Sequence, residues 1–294
     1  MLSLKSGLPI AYIGNDRKKL IYIKEKALGG SPSVEYEPGD TPEYITKKHT
    51  LPPLPNRNWV EKLYVSGPSG AGKSTYVARW LAEYRRMFKM AVETPEAVKR
   101  VPQPVFIFSS VGEDPPLDRQ HPIRIALNEE LLLDPIDPVE FSDSAVLFDD
   151  VGALSDVGMR KYLQSLQDLM IEISRHHRTR MIITSHLTCN YGATRRVLTE
   201  MTSLTIYPHA GSTRGIRRVL EEYVGLEKHE IVKILKLPSR WVSIYMLTPQ
   251  YVIHERGAYV LNPALSKPIE AQPKAKKATP KATAATPKAT RRAK

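Results

Sequence analysis

A single cysteine, Cys189, stands in a chain of 294 residues. One thiol closes no intramolecular disulfide, so a small cystine-stapled secreted scaffold is excluded and a reducing compartment is expected. No stretch approaches the roughly 18 consecutive apolar residues of a membrane span. The opening MLSLKSGLPIAYIGNDRKK lacks a basic head followed by a long apolar run, so no secretory leader is expected. Clusters with zinc-ligand spacing are missing as well, and the adjacent His176 and His177 point differently on a helix. Acids are in the minority, with 31 Asp and Glu against 43 Lys and Arg, a net charge of +12. Residues 266–294 hold nine of the bases and one acid, Glu270; that is a net of +8, which leaves +4 for residues 1–265. The body is therefore close to neutral, and a polyanionic partner suits the tail above all.

What is present reads as globular: 41% of residues are hydrophobic and 25% charged, over a length that buries a sizeable core. Residues 1–58 carry two apolar patches, Pro9–Ile13 and Leu20–Ile23, which predict a short hairpin, and then a Pro-rich connector. Residues 59–265 alternate between strands and helices. Short apolar runs at 63–67, 104–110, 123–127, 145–150, 180–186 and 202–208 read as strands. Helical spacing runs from Lys73 to about Lys89, from about Val157 to His177, and over about 213–223 and 227–236, with Gly225 as a stop. This order predicts an α/β fold with a mostly parallel sheet flanked by helices. Segments 241–247, 250–255 and 258–261 predict a small antiparallel C-terminal set. Residues 266–294 repeat Lys, Pro, Ala and Thr and predict a disordered basic tail.

Three strand ends carry the chemistry. GPSGAGKST comprises Gly67, Pro68, Ser69, Gly70, Ala71, Gly72, Lys73, Ser74 and Thr75, and matches the phosphate-loop pattern G-x-x-x-x-G-K-[ST] between a strand and a helix. Its glycines let backbone N–H groups converge on an anion, and the helix N-terminus adds positive potential. Lys73 is expected on the β- and γ-phosphates of ATP and Ser74 on Mg²⁺. The acidic strand end AVLFDD places Asp149 for the Mg²⁺ shell and Asp150 for orienting the attacking water. The polar end of RMIITSH brings Thr184, Ser185 and His186 to the edge where ligands of open α/β sheets lie, with His186 the candidate γ-phosphate sensor. Alone, the acidic end also reads as a turn that caps a strand, and the polar end of RMIITSH as a strand turning polar as it leaves the core. The segment SRHHRTR offers Arg175, Arg178 and Arg180 as arginines acting on a neighbouring subunit, or as a solvated basic helix end.

Taken in order, these elements resemble an additional-strand P-loop NTPase with a RecA-like core. FDDVGAL, the helix ending SRHHRTRMIITSH, and GLEKHEIVKILKLPSRWVSIYMLTPQYVIHERGAYVL resemble the poxvirus-type virion DNA-packaging ATPases of large double-stranded DNA viruses, in the FtsK–HerA superfamily. The resemblance covers about Trp59 to Leu261. It implies ATP on Gly67–Thr75, Mg²⁺ on Ser74 and Asp149, and catalytic places for Lys73, Asp150 and His186, with Arg175 as the first choice of trans arginine. It further implies a homo-oligomeric ring that drives double-stranded DNA into a capsid through a portal or shell component. The compartment it implies is the virion or the host-cell cytoplasm, with the nucleus as the alternative. The superfamily usually has Glu at the place of Asp150 and often Gln at that of His186. Competing expectations are a cellular FtsK–HerA-like DNA motor, a small-molecule kinase, and a nucleic-acid scaffold that binds ATP without turnover.

Overall fold

The computed structural model describes residues 1–24, 37–47, 50–94, 97–189 and 194–261. The basic tail expected over 266–294 lies outside the described residues. The N-terminal strands β1 (Leu2–Ser3), β2 (Leu8–Ile13) and β3 (Asp16–Ile23) form an antiparallel sheet that includes the expected hairpin, β2 with β3. They are followed by β4 (Glu43–Ile45), β5 (Lys62–Ser66) and helix α1 (Lys73–Met87). A two-stranded ribbon, β6 (Lys89–Glu93) with β7 (Val98–Pro102), projects next. The chain continues through β8 (Val105–Ser109), α2 (Pro115–Asp118), β9 (Ile123–Arg124), α3 (Glu129–Leu133), β10 (Ala145–Asp149), α4 (Val157–His177) and β11 (Arg180–Ser185). It ends with α5 (Arg195–Glu200), β12 (Ser203–Ile206), α6 (Thr213–Glu222), α7 (Lys228–Leu235), β13 (Val242–Tyr245), β14 (Tyr251–His254) and β15 (Gly257–Val260).

One ten-stranded sheet organises the molecule, in the order β4-β15-β14-β13-β12-β5-β11-β10-β8-β9. From β12 to β9 every pairing is parallel, and from β12 to β4 every pairing is antiparallel. The expected α/β class is therefore correct, and the C-terminal strands continue the main sheet from β12. Run 123–127 shrinks to the two residues of β9, an edge strand with β8 on one side and Ile123 49% exposed on the other.

Both faces of the parallel half are covered, which is why its strands show no alternation in sequence. On β10, Val146 and Phe148 pack with Leu163, Leu166 and Met170 of α4. Ala145 and Leu147 face the other way, into a cluster with Val77, Trp80 and Leu81 of α1. That second cluster also takes in Leu2, Ile10, Ile21 and Ile23, so the N-terminal strands share a core with the phosphate-loop helix.

Candidate active site

α1 begins at Lys73 without a side-chain cap, and its N-cap residue, Gly72, is left-handed at φ 102°. A side chain is disfavoured in that conformation, and the uncapped first turn keeps its N–H groups for an anion. Gly67 is required for a different reason. A Cβ there would stand 2.7 Å from the Tyr207 ring, so only glycine lets the loop lie down on that ring. The loop is tied to the sheet by the Gly67 N–H, which donates to the Ser185 carbonyl at 3.0 Å.

β11 lies between β5 and β10, so the strand carrying Thr184, Ser185 and His186 separates the phosphate loop from the acidic strand. Register aligns Ser185 with Ser66 and Asp149 with Ser109. Both Asp149 oxygens are engaged: Ser109 Oγ donates to Oδ2 and Thr184 Oγ1 to Oδ1, each at 2.8 Å. Thr184 in turn accepts the Asp150 backbone N–H at 2.9 Å. One hydroxyl thus orients both acids. The role of Ser109 was missed in the sequence, although the polar end of PVFIFSS parallels that of RMIITSH.

Asp150 leaves the strand in the left-handed region, φ 46° and ψ 37°. An L-residue holds that conformation at a cost of about 1–3 kcal/mol, and Asp tolerates it better than most. Its Oδ2 lies 3.4 Å from Lys73 Nζ and 3.1 Å from His186 Nε2. Lys73 Nζ also reaches the Gly67 carbonyl at 3.0 Å and His186 Nδ1 at 3.2 Å. An ammonium only donates, so the contact with Lys73 needs Nδ1 as its acceptor, with Nε2 turned toward Asp150. Burial pushes the Asp150 carboxyl above the usual carboxylate range; Lys73 and His186 oppose this and Asp149 reinforces it. Asp150 Oδ1 is buried and has no hydrogen-bond partner among the described residues. A cavity of about 450 Å³ opens there, bounded by Asp150, His186, Arg160, Gln164 and Tyr64.

The structure thus brings Lys73, Asp149, Asp150 and His186 together at the C-terminal edge of the parallel strands, with Ser74 in the same helical turn as Lys73. Pro68 is half-buried, Ser69 and Gly70 are exposed, and Ala71 turns back to bond the Pro68 carbonyl through its N–H at 3.2 Å. Thr75 is exposed on the outer face of α1. Arg175 is not part of this group. It is exposed near the far end of α4, beside Lys62 at the start of β5, and so stands at the opposite edge of the sheet. The other two basic-segment arginines are occupied. Arg178 forks onto Asp143 with both hydrogen bonds at 2.6 Å. Arg180 is buried, with its guanidinium 3.7 Å from the Phe88 ring centroid.

An uncapped glycine loop after β5, an acidic end on β10 and a polar strand between them define the P-loop NTPase arrangement. No known protein-family profile matches the chain. It is 29% identical over 262 residues to uncharacterized protein V3 of Sputnik virophage, an alignment that covers 87% of this chain and 97% of that protein. Among solved structures it is similar to the pCW3 conjugation coupling protein TcpA, monomer form with ATPγS, at a TM-score of 0.45 and 10% identity over 85% of this chain and 77% of that one. It is similar also to the genome packaging NTPase B204 of Sulfolobus turreted icosahedral virus 2 in complex with AMP, at a TM-score of 0.41 and 8% identity over 67% of this chain and 96% of that one. The cytoplasmic domain of the Thermomonospora curvata type VII secretion ATPase EccC gives 0.45 and 14%, over 69% of this chain and 26% of that one.

Proposed function

We propose that the chain is an ATP-driven motor on double-stranded DNA that packages a viral genome into a capsid. The observation that carries the catalytic half is the meeting of Lys73, Asp150 and His186 beside the glycine loop. Lys73 is held by a carboxylate, a ring nitrogen and a carbonyl, and the terminal phosphates of a nucleotide take the place of the carboxylate. Asp150, released from Lys73, then faces the cavity at its side, where it orients a water. A carboxyl whose proton affinity is already raised by burial accepts a proton from that water more readily. His186 keeps its Nε2 on Asp150 and its Nδ1 toward Lys73, and so touches both partners of the exchange.

The residues also fit Mg²⁺. Asp149 and the Ser74 hydroxyl are hard oxygen donors, and no cluster of three or more His, Cys, Asp or Glu that would cage a metal occurs among the described residues. Mg²⁺ is commonly held this way, by one carboxylate, a hydroxyl, water and the substrate's own phosphates. When bound it neutralises charge on the β- and γ-phosphate oxygens. Ser109 and Thr184 keep the Asp149 carboxylate in one orientation for that role.

The DNA half rests on the resemblance of the segments from FDDVGAL through LPSRW to the packaging ATPases. The ring, the capsid or portal partner, and residence in the virion or the host-cell cytoplasm follow from the same resemblance. The test is ATP hydrolysis by the purified chain with and without duplex DNA, together with native mass measurement in ATP and DNA. A motor is stimulated by the duplex and assembles in its presence. Stimulation by a small phosphate acceptor points to a kinase, and indifference to both points to a scaffold.

A further inference from the structure

Among the described residues, the ribbon of β6 and β7 pairs with no strand of the main sheet. Its base is fixed: the Phe88 carbonyl accepts the Gln103 N–H at 3.1 Å, and the Tyr84 hydroxyl donates to Gln103 Oε1 at 2.8 Å. Beyond that base, residues 89–93 and 97–100 are all exposed. Two strands alone in water are only marginally stable, so a projecting ribbon gains from something to lie on. Register sets Met90 opposite Val101 and Val92 opposite Lys99 on one face. The other face carries Val98, 65% exposed, with Lys89 and Arg100. Each face thus joins apolar carbons to a base. Glu93 is the acid against these three bases among the described residues, where none of the three has an ion pair.

A surface of the opposite charge lies elsewhere on the molecule. Segment 128–140, which includes α3, carries Glu129, Glu130, Asp134, Asp137 and Glu140, all exposed, and no base. Among these acids Leu133 is 85% exposed, and Leu132 and Val139 are exposed with it. The segment is firmly built. Asn128 Oδ1 accepts the Leu131 N–H at 3.2 Å, and the Tyr162 hydroxyl of α4 accepts the Ile136 N–H at 3.1 Å. None of the five acids has an ion pair among the described residues. Charge and apolar surface on this lip match those on the ribbon, acid for base.

We infer that the β6–β7 ribbon is an arm that docks on the acidic lip at 128–140 of a second copy of this chain. The inference rests on the reading of the chain as a self-assembling ring and deepens it by naming the two surfaces that meet. Phe88, at the base of the arm, packs against the cluster of α1, whereas Leu131 of the lip packs in the cluster of α4. Arm and lip therefore belong to opposite faces of the sheet. A contact between two different surfaces of one chain is head-to-tail: every copy gives an arm and receives one, and the series closes when the rotation closes. Apolar side chains supply the adhesion, and the unpaired charges set the register and exclude an arm from meeting another arm.

The test is a charge exchange on the full chain, read by native mass measurement over a range of protein concentrations with ATP and duplex DNA. One variant combines Lys99→Glu with Arg100→Glu, the other Glu129→Lys with Glu130→Lys. Each alone is expected to raise the concentration needed for assembly by about tenfold or more, because like charges then face each other. Mixed in equal amounts, the two should assemble again with the variants alternating, since each altered arm now meets an altered lip. That rescue also shows that both are folded, and it requires a contact between copies. If both variants assemble as the wild type does, or the mixture fails to recover, arm and lip are not partners and the inference falls while the ring stands. If the arm variant assembles normally but loses affinity for random duplex DNA, the ribbon is a DNA contact instead. If the wild-type chain never assembles, the ring reading itself is wrong and the arm falls with it.

Discussion

Asp150→Asn separates catalysis from stability in a way that tests the electrostatic balance of the site. Two effects compete at this carboxylate. At 3.4 Å from Lys73 Nζ, with an effective dielectric of 20, the attraction is about 5 kcal/mol. Removing one member of a buried pair normally destabilises a fold. Yet the Asp150 carboxyl is raised above its ordinary range, because loss of hydration, reinforced by the neighbouring Asp149, outweighs Lys73 and His186. In linkage terms the folded state then holds a proton that the unfolded state has released. The contribution of this group to stability is greatest below the ordinary carboxylate pKa, falls as pH rises toward the raised folded value, and is flat above it. The neutral amide escapes that loss. Asp150→Asn is therefore expected to match or exceed the wild-type Tm at pH 7; a gain of 1 kcal/mol corresponds to about 2–4 °C in a chain of this size. The difference should vanish toward pH 4. ATP hydrolysis should fall by about 10²- to 10⁴-fold, the usual contribution of a general base. Thermal unfolding from pH 4 to 8, with a steady-state ATPase assay, measures both. A variant several degrees less stable at pH 7 would show that the ion pair wins and would refute the burial argument. Near wild-type turnover would remove Asp150 from the chemistry.

Thr184→Val keeps the shape of a buried side chain but strands the Asp150 N–H and frees one oxygen of Asp149; a stability loss of about 1–3 kcal/mol in denaturant unfolding and weaker Mg²⁺-dependent ATP binding are expected. Arg175→Ala should leave nucleotide titrations unchanged and lower hydrolysis, and mixing it with Asp150→Asn subunits should restore part of the activity; full activity of the variant alone would rule out Arg175 as the trans arginine. Deleting residues 266–294 removes a net charge of +8 and should flatten the slope of log K against log salt by roughly 0.9 for each DNA phosphate that the tail no longer neutralises. Binding of random duplex DNA at several salt concentrations measures this, and an unchanged slope would leave DNA binding to the body of the chain.

The glycines and lysine of the phosphate loop, the two acids after a run of apolar residues and the polar end of RMIITSH were legible in the sequence. Each is a local pattern, and local patterns follow from backbone geometry within a few residues. The parallel sheet was legible for the same reason, since strands covered on both faces lose alternation. Other features depended on packing between distant segments. The insertion of β11 between β5 and β10 places His186 against Lys73, 113 positions away. Ser109 reaches Asp149 only through the β8–β10 register. The N-terminal strands read as a separate hairpin in sequence, yet they pack beneath α1, and β4 finds its partner in β15 at the far end of the chain. The ribbon over 89–102 is largely exposed, so its apolar residues Met90, Val92 and Val98 do not join the core that organises the other strands. Tyr207 looks like the end of a buried strand, and only the close approach of Gly67 to its ring reveals it as the floor of the phosphate loop. Periodicity reports which residues are buried within an element; strand order and register, which set what those residues touch, are chosen by the whole chain when its faces pack.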